Sequence, residues 1–281
     1  MPEAKAVYDL ANEVTGLDVA ALCFEENDLL DKTEYTQVAM VTACLAMTRA
    51  VESMGLHADM TAGLSLGEYC AIAVAGGMCD LDAIRTVRSR GIFMEHAAPE
   101  GSGAMSAVLG MDAAVIEDVL NGREGVSIAN YNCPGQIVIT GEADAVAEAG
   151  TVLKEAGARR VLPLKVSGPF HSPMMRPAGE ELAKVFARVS MNPLKIPYVA
   201  NINAEVITDC GRIEGLLVEQ VSGSVRWQQS VEPMIREGVD TFVEIGPGKT
   251  LTGFLRKIDK NVKAYHIGSW EEAVQVCEEL K

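Results

Sequence analysis

Residues 61–77 read TAGLSLGEYCAIAVAGG, an apolar segment interrupted by small residues where a strand would hand over to a helix. Ser65 stands between Gly63 and Gly67 at G-x-S-x-G spacing. A strand that enters a helix through so tight a turn belongs to an α/β layer architecture, and this constrains the fold more than any other feature of the chain. The same spacing is that of the nucleophile elbow. Small neighbours there tolerate a strained turn that lifts the serine hydroxyl clear of the backbone, and the helix N-terminus points at charge developing on a bound carbonyl. A plain turn with a capping serine has the same residues, so the nucleophile needs a base to support it.

The segments around the elbow alternate. Residues 34–54 have helical length and composition and stop at Gly55. A short buried strand is expected over HADMTAG, and the helix LGEYCAIAVAGG leaves it. Asp80 is placed to cap a further helix, LDAIRTVRSRGIFMEHA, which runs out near Pro99. Between 104 and 166 the order becomes strand (AMSAVLGM), helix (DAAVIEDVL), two strands about NCPGQ (VSIANY and IVITGE), helix (DAVAEAGTVLKEAG) and strand (RRVLPLKV). That βαββαβ order is the split unit of a ferredoxin-like lobe. Turn-rich joints bound it, so residues 99–166 are expected as a small inserted subdomain and residues 1–98 with 167–281 as the large one. Beyond 166 helices (PAGEELAKVFARV, EGLLVEQV) alternate with strands (PYVANI, TFVEIG). The fold class expected is α/β, a parallel sheet with helices on both faces and a ferredoxin-like insertion.

Several functions are disfavoured by composition. A net charge of −15 over 281 residues argues against a general nucleic-acid binder, which needs a basic surface. No run approaches 18 apolar residues and the start, MPEAKAVYDLANEV, lacks a signal layout, so no membrane role and a cytoplasmic location are expected. Seven dispersed cysteines without a C-x-x-C pair read as reduced thiols. Four histidines, with no H-E-x-x-H and no Cys/His cluster, leave no metal or cofactor to expect. IGPGKT fails as a phosphate loop, because Val243 stands where its first glycine belongs.

Two further residues matter to the serine. His171, in VSGPFHSPMM, lies in a Gly-Pro turn at a strand end, where active-site residues of such sheets gather. His57, His96 and His266 read as ordinary surface or core residues. Arg90 borders the apolar side of its helix, with Val87 and Met94 on that side. It either snorkels outward or turns into a cleft to grip a carboxylate with two hydrogen bonds.

Taken together, GLSLGEYCAIAVAGG, RSRGIFM, GSGAM, NCPGQIVITG, VSGPFHSPMM, VANINA, VRWQQSV and EIGPGKTLTG resemble, in family order, the malonyl-CoA:acyl carrier protein transacylases of fatty-acid synthesis. The resemblance covers essentially the whole chain and implies a hydrolase-like core. It assigns Ser65 as the nucleophile that takes the malonyl group, His171 as its general base and the backbone carbonyl of Gln220 as the group orienting the histidine. Arg90 matches the arginine that binds the malonyl carboxylate, and Asn201 an asparagine lining the same pocket. Phe170 matches the bulky residue of malonyl-selective members, which leaves little space for an α-methyl branch. One methyl is worth about 1–3 kcal/mol of discrimination.

Two departures accompany the resemblance. Leu64 stands where most relatives have histidine, which implies an altered pocket wall. The family's N-terminal strand and G-Q-G loop have no counterpart, so a start upstream is expected, with a naturally short, weakly active or inactive form as the alternative. That loop supplies one oxyanion N–H and Leu66 the other, and losing such a donor costs about 2.7–4 kcal/mol. The expected partners are malonyl-CoA and an acidic acyl carrier protein, the latter docking on Lys249, Arg256, Lys257, Lys260 and Lys263. A serine esterase or thioesterase, and a non-catalytic carrier-binding protein, remain alternatives from the sequence.

Overall fold

The computed structural model describes residues 1–280. Helices α1 (Pro2–Thr15), α2 (Val19–Phe24) and α3 (Thr33–Ser53) lead into strand β1 (Thr61–Ala62), then α4 (Gly67–Val74) and α5 (Asp80–His96). Next come β2 (Gly103–Leu109), α6 (Ala113–Leu120), β3 (Val126–Cys133), β4 (Gln136–Glu142), α7 (Ala143–Glu155) and β5 (Arg160–Pro163). The chain returns through α8 (Arg176–Phe186), β6 (Tyr198–Val199), β7 (Val206–Ile207), α9 (Ile213–Ser222) and α10 (Trp227–Arg236). It closes with β8 (Thr241–Ile245), α11 (Thr250–Ile258), β9 (Lys263–Ile267) and α12 (Trp270–Glu279).

The α/β class holds, with a correction to the sheet. Parallel pairing is split between β1–β6, extended by antiparallel β7, and a separate β8–β9 pair. The strand expected over HADMTAG pairs only at Thr61 and Ala62, and helices supply most of the large core. That core joins Val38, Val41 and Leu45 of α3 to Tyr69 and Ile72 of α4, Ile84 and Val87 of α5, Leu182 of α8 and Leu217 of α9. Asp80 does not cap α5. Cys79 occupies that position, and the Asp80 carboxylate instead takes Arg49 Nε at 2.9 Å and Nη2 at 2.5 Å, tying α5 to α3.

Residues 103–163 form a four-stranded antiparallel sheet of order β3-β4-β2-β5, with α6 and α7 on one face. Strand alternation sorts its residues. Val108, Ile137 and Ile139 face the helices, while Met105, Ala107 and Val138 face the other way and pack with Phe170. A register shift between Ile128 and Asn130 lets Ile128 and Tyr131, three apart, share the helix face. Backbone bonds of Val225 with Ala129 (2.7 Å) and Tyr131 (2.9 Å) bind this sheet to the segment before α10. The return from β5 to α8 carries Phe170 and His171 past it.

Candidate active site

Ser65 sits in the turn between β1 and α4 with φ 50°, a left-handed conformation unusual for a residue with a side chain. The two glycines flanking it differ in role. A Cβ on Gly63 would lie 2.0 Å from the backbone carbon and oxygen of Gly67, so only glycine fits there, whereas a Cβ on Gly67 meets nothing. Asn201, just after β6, holds the turn: its Oδ1 accepts the Ser65 N–H at 2.5 Å and its Nδ2 donates to the Gly63 carbonyl at 2.8 Å. The Asn201 amide is fully buried and engaged with the elbow backbone, not open to a pocket. Leu66, immediately before α4, already has helical backbone, and no backbone acceptor takes its N–H among the described residues.

His171, also left-handed at φ 60°, brings Nε2 to 2.7 Å from Ser65 Oγ. Its Nδ1 faces two carbonyl oxygens, Gln220 at 2.9 Å and Gly223 at 3.2 Å. Carbonyls only accept, so Nδ1 carries the proton and Nε2 turns its lone pair to the hydroxyl. Burial, aided by the nearby Arg90 charge, pushes the imidazole down to about 4, and the two carbonyl bonds work against that shift. The imidazole is neutral at pH 7.

Arg90 turns inward from α5 and is 1% exposed. Its Nη1 donates to Gln37 Oε1 (2.8 Å), and its Nη2 to Gln220 Oε1 (3.1 Å) and Ser65 Oγ (3.3 Å). Tyr69 presents its ring 5.5 Å from the guanidinium carbon. Every one of these partners is neutral, and Nε has none. A buried cation beside the Ser65 hydroxyl thus has no counter-charge among these partners. Burying an unpaired charge is costly, so an anion placed beside Arg90 would be stabilised.

Phe170 is half-buried against the lobe sheet, and Leu64 packs beside Cys133, Val225 and Trp227. Among the basic residues, Lys249 pairs with Glu272 at 3.2 Å and Lys257 reaches Gln136 Oε1 at 3.4 Å, while Arg256, Lys260 and Lys263 are exposed and form no ion pair among the described residues. His57 and His96 are exposed, and His266 Nε2 donates to the Gly246 carbonyl at 3.0 Å, far along the chain from the serine. No group of three or more His, Cys, Asp or Glu among the described residues is arranged to hold a metal ion. No described helix is long and apolar enough to cross a membrane.

Sequence reasoning missed Gln37, Gly223 and Glu68. Gln37 and Gly223 carry no local signal. Glu68 carries one: it is the only charged residue between Asp59 and Asp80.

The acyl transferase domain model matches residues 5–276. The malonyl CoA-acyl carrier protein transacylase of Bacillus subtilis is 41% identical over 286 residues, covering 100% of this chain and 90% of that protein. A crystal structure of the transacylase of that name from Clostridium perfringens superposes with a TM-score of 0.96 at 39% identity, over 100% of this chain and 90% of the other. A type II PKS acyl-carrier protein in complex with its malonyl-transacylase contains a chain that matches with a TM-score of 0.94 at 36% identity, over 99% of this chain and 92% of that one.

Proposed function

The chain belongs to the acyl transferase family, among the malonyl-CoA:acyl carrier protein transacylases, and from that premise we propose how its own residues move the malonyl group. The enzyme transfers malonyl from malonyl-CoA to the phosphopantetheine thiol of an acyl carrier protein, a step of fatty-acid synthesis. The observation that carries the residue assignment is the uncompensated Arg90 cation 3.3 Å from Ser65 Oγ. A malonyl thioester has a carboxylate at the far end of its acyl group, and that charge is what the guanidinium lacks.

In the first half-reaction His171 Nε2 takes the Ser65 proton as Oγ attacks the thioester carbonyl carbon. The oxyanion faces the Leu66 N–H and the N-terminus of α4. Collapse breaks the C–S bond, and the CoA thiolate takes the proton from Nε2. The second half-reaction reverses these roles. The carrier thiol gives its proton to Nε2, its sulfur attacks the seryl ester, and the proton returns to Oγ. Throughout, the Gln220 and Gly223 carbonyls stabilise the imidazolium through Nδ1 without receiving its proton.

Arg256, Lys257, Lys260 and Lys263, on and after α11, offer positive charge to an acidic carrier, with Lys257 beside the lobe hairpin. A cytoplasmic location suits Cys23, Cys44, Cys70, Cys79, Cys133 and Cys210, which form no disulfide. The test is the intact mass after brief exposure to malonyl-CoA, alongside Ser65→Ala. One malonyl adduct on the unmodified sequence alone is expected. An adduct on both, or on neither, defeats the assignment.

A further inference from the structure

One buried titratable group takes no part in the mechanism above. Glu68, on the first turn of α4, is fully buried directly behind the nucleophile. Its Oε2 accepts the Gln220 side-chain amide at 2.7 Å and the Asn201 backbone N–H at 3.1 Å. Among the described residues its Oε1 has no hydrogen-bond partner and the carboxyl enters no ion pair.

Those two contacts reach every working group. Gln220 presents its backbone carbonyl to His171 Nδ1, its Oε1 to Arg90, and its Nε2 to the Ser65 carbonyl (2.9 Å) as well as to Glu68. Asn201 holds the Ser65 N–H and the Gly63 carbonyl. One carboxyl oxygen therefore anchors the supports of base, nucleophile and cation together. We propose that Glu68 is a positioning residue, a neutral carboxylic acid that aligns Gln220 and Asn201 while leaving the Arg90 charge for the acyl carboxylate. The Arg90 part of this inference rests on the malonyl-transfer reading.

The charge state follows from the surroundings. An ionised carboxylate buried with one oxygen bare is costly, and ordinarily such a group stays protonated. Burial pushes Glu68 up to about 8, against the pull of Gln220, Asn201 and the Arg90 charge. The titratable groups that interact with it are Arg90 on α5, Tyr69 on α4 and Tyr198 on β6. Both tyrosines are held neutral well above their ordinary range, chiefly by burial. As a neutral acid Glu68 still offers Oε2 as an acceptor and adds no negative charge to compete for Arg90. Once ionised it becomes an internal counter-ion, and the site loses its pull on an anionic acyl group.

The test compares the unmodified sequence with Glu68→Gln, which keeps an acceptor oxygen and cannot ionise. Ser65 malonylation by malonyl-CoA is followed by rapid-quench mass measurement from pH 6 to 9.5. The unmodified enzyme should lose rate above pH 8, about ten-fold per pH unit for a single proton. Glu68→Gln should stay flat over that range and lie within about three-fold at pH 7, whereas Glu68→Ala, if folded, should fall about 100-fold, the effect of misaligning a reacting pair. The inference is overturned if Glu68→Gln keeps the alkaline loss, or if it is folded yet falls with Glu68→Ala at pH 7. Urea unfolding from pH 5 to 8 decides the charge state independently of any transfer activity. With a raised folded-state pKa, the unfolded chain releases the Glu68 proton first, so the unmodified midpoint should drop relative to Glu68→Gln as pH rises. Parallel midpoints overturn the inference. Absence of malonyl uptake with diverging midpoints would instead leave the neutral acid standing and sink the malonyl reading.

Discussion

In the proposed mechanism acylation of Ser65 draws on the Nε2 lone pair of His171, so the malonylation rate of the free enzyme should follow the fraction of neutral imidazole. With the ring pushed down to about 4, roughly nine-tenths of it is neutral at pH 5, against about 3% for an ordinary histidine near 6.5. The two cases differ about thirty-fold in rate at that pH. The assay is kcat/KM for malonyl-CoA from pH 4 to 7.5, because this ratio reports ionisations of the free enzyme. Half-maximal activity near pH 4 and a plateau from pH 5 are expected. Arg90 is the second cause of the depression, and in the proposed complex the malonyl carboxylate offsets its charge. The acid limb of kcat should therefore lie at higher pH than that of kcat/KM. Stability enters with a definite sign. A depressed histidine contributes stability that is complete above pH 6.5 and is lost as pH falls toward 4, up to about 3 kcal/mol. Glu68, pushed up to about 8, acts oppositely between its unfolded value and pH 8, so the two offset each other between about pH 4.5 and 6.5. Circular dichroism at each pH separates unfolding from titration. A kcat/KM limb centred near 6.5 in folded enzyme would refute the reasoning.

The remaining predictions rest on packing and charge. Gly63→Ala drives a Cβ into the Gly67 backbone and should cost at least about 3 kcal/mol in urea titrations, while Gly67→Ala should leave the midpoint unchanged or slightly raised; equal effects would contradict the elbow geometry. Arg90→Ala should lower malonyl transfer about 10- to 100-fold by removing charge-assisted hydrogen bonds, yet affect acetyl transfer from acetyl-CoA far less. Reversing charge at Lys257 and Lys260 should raise KM for the carrier protein several-fold, an effect that added salt shrinks. KM for malonyl-CoA should not move, and a parallel rise in both would remove the docking role.

What the sequence determined by itself is local. G-x-S-x-G between an apolar strand and an apolar helix specifies the turn at Ser65, since backbone sterics act over five residues. The βαββαβ order of residues 104–166 is equally readable, because strand and helix periodicities are written in neighbouring side chains. The basic composition after Lys249 also stands in the chain as written. Tertiary structure decided the rest. It split the parallel pairing into β1–β6 and β8–β9, and it converted Asp80 from an expected cap into a partner of Arg49 on another helix. Only folding brings Gln37, Glu68, Arg90, Asn201 and Gln220 into one buried network, in which the Glu68–Gln220 hydrogen bond alone spans 152 residues. The protonation states of His171 and Glu68 follow from that network. Burial and a neighbouring charge set them, and both are properties of the packed interior that no stretch of sequence contains.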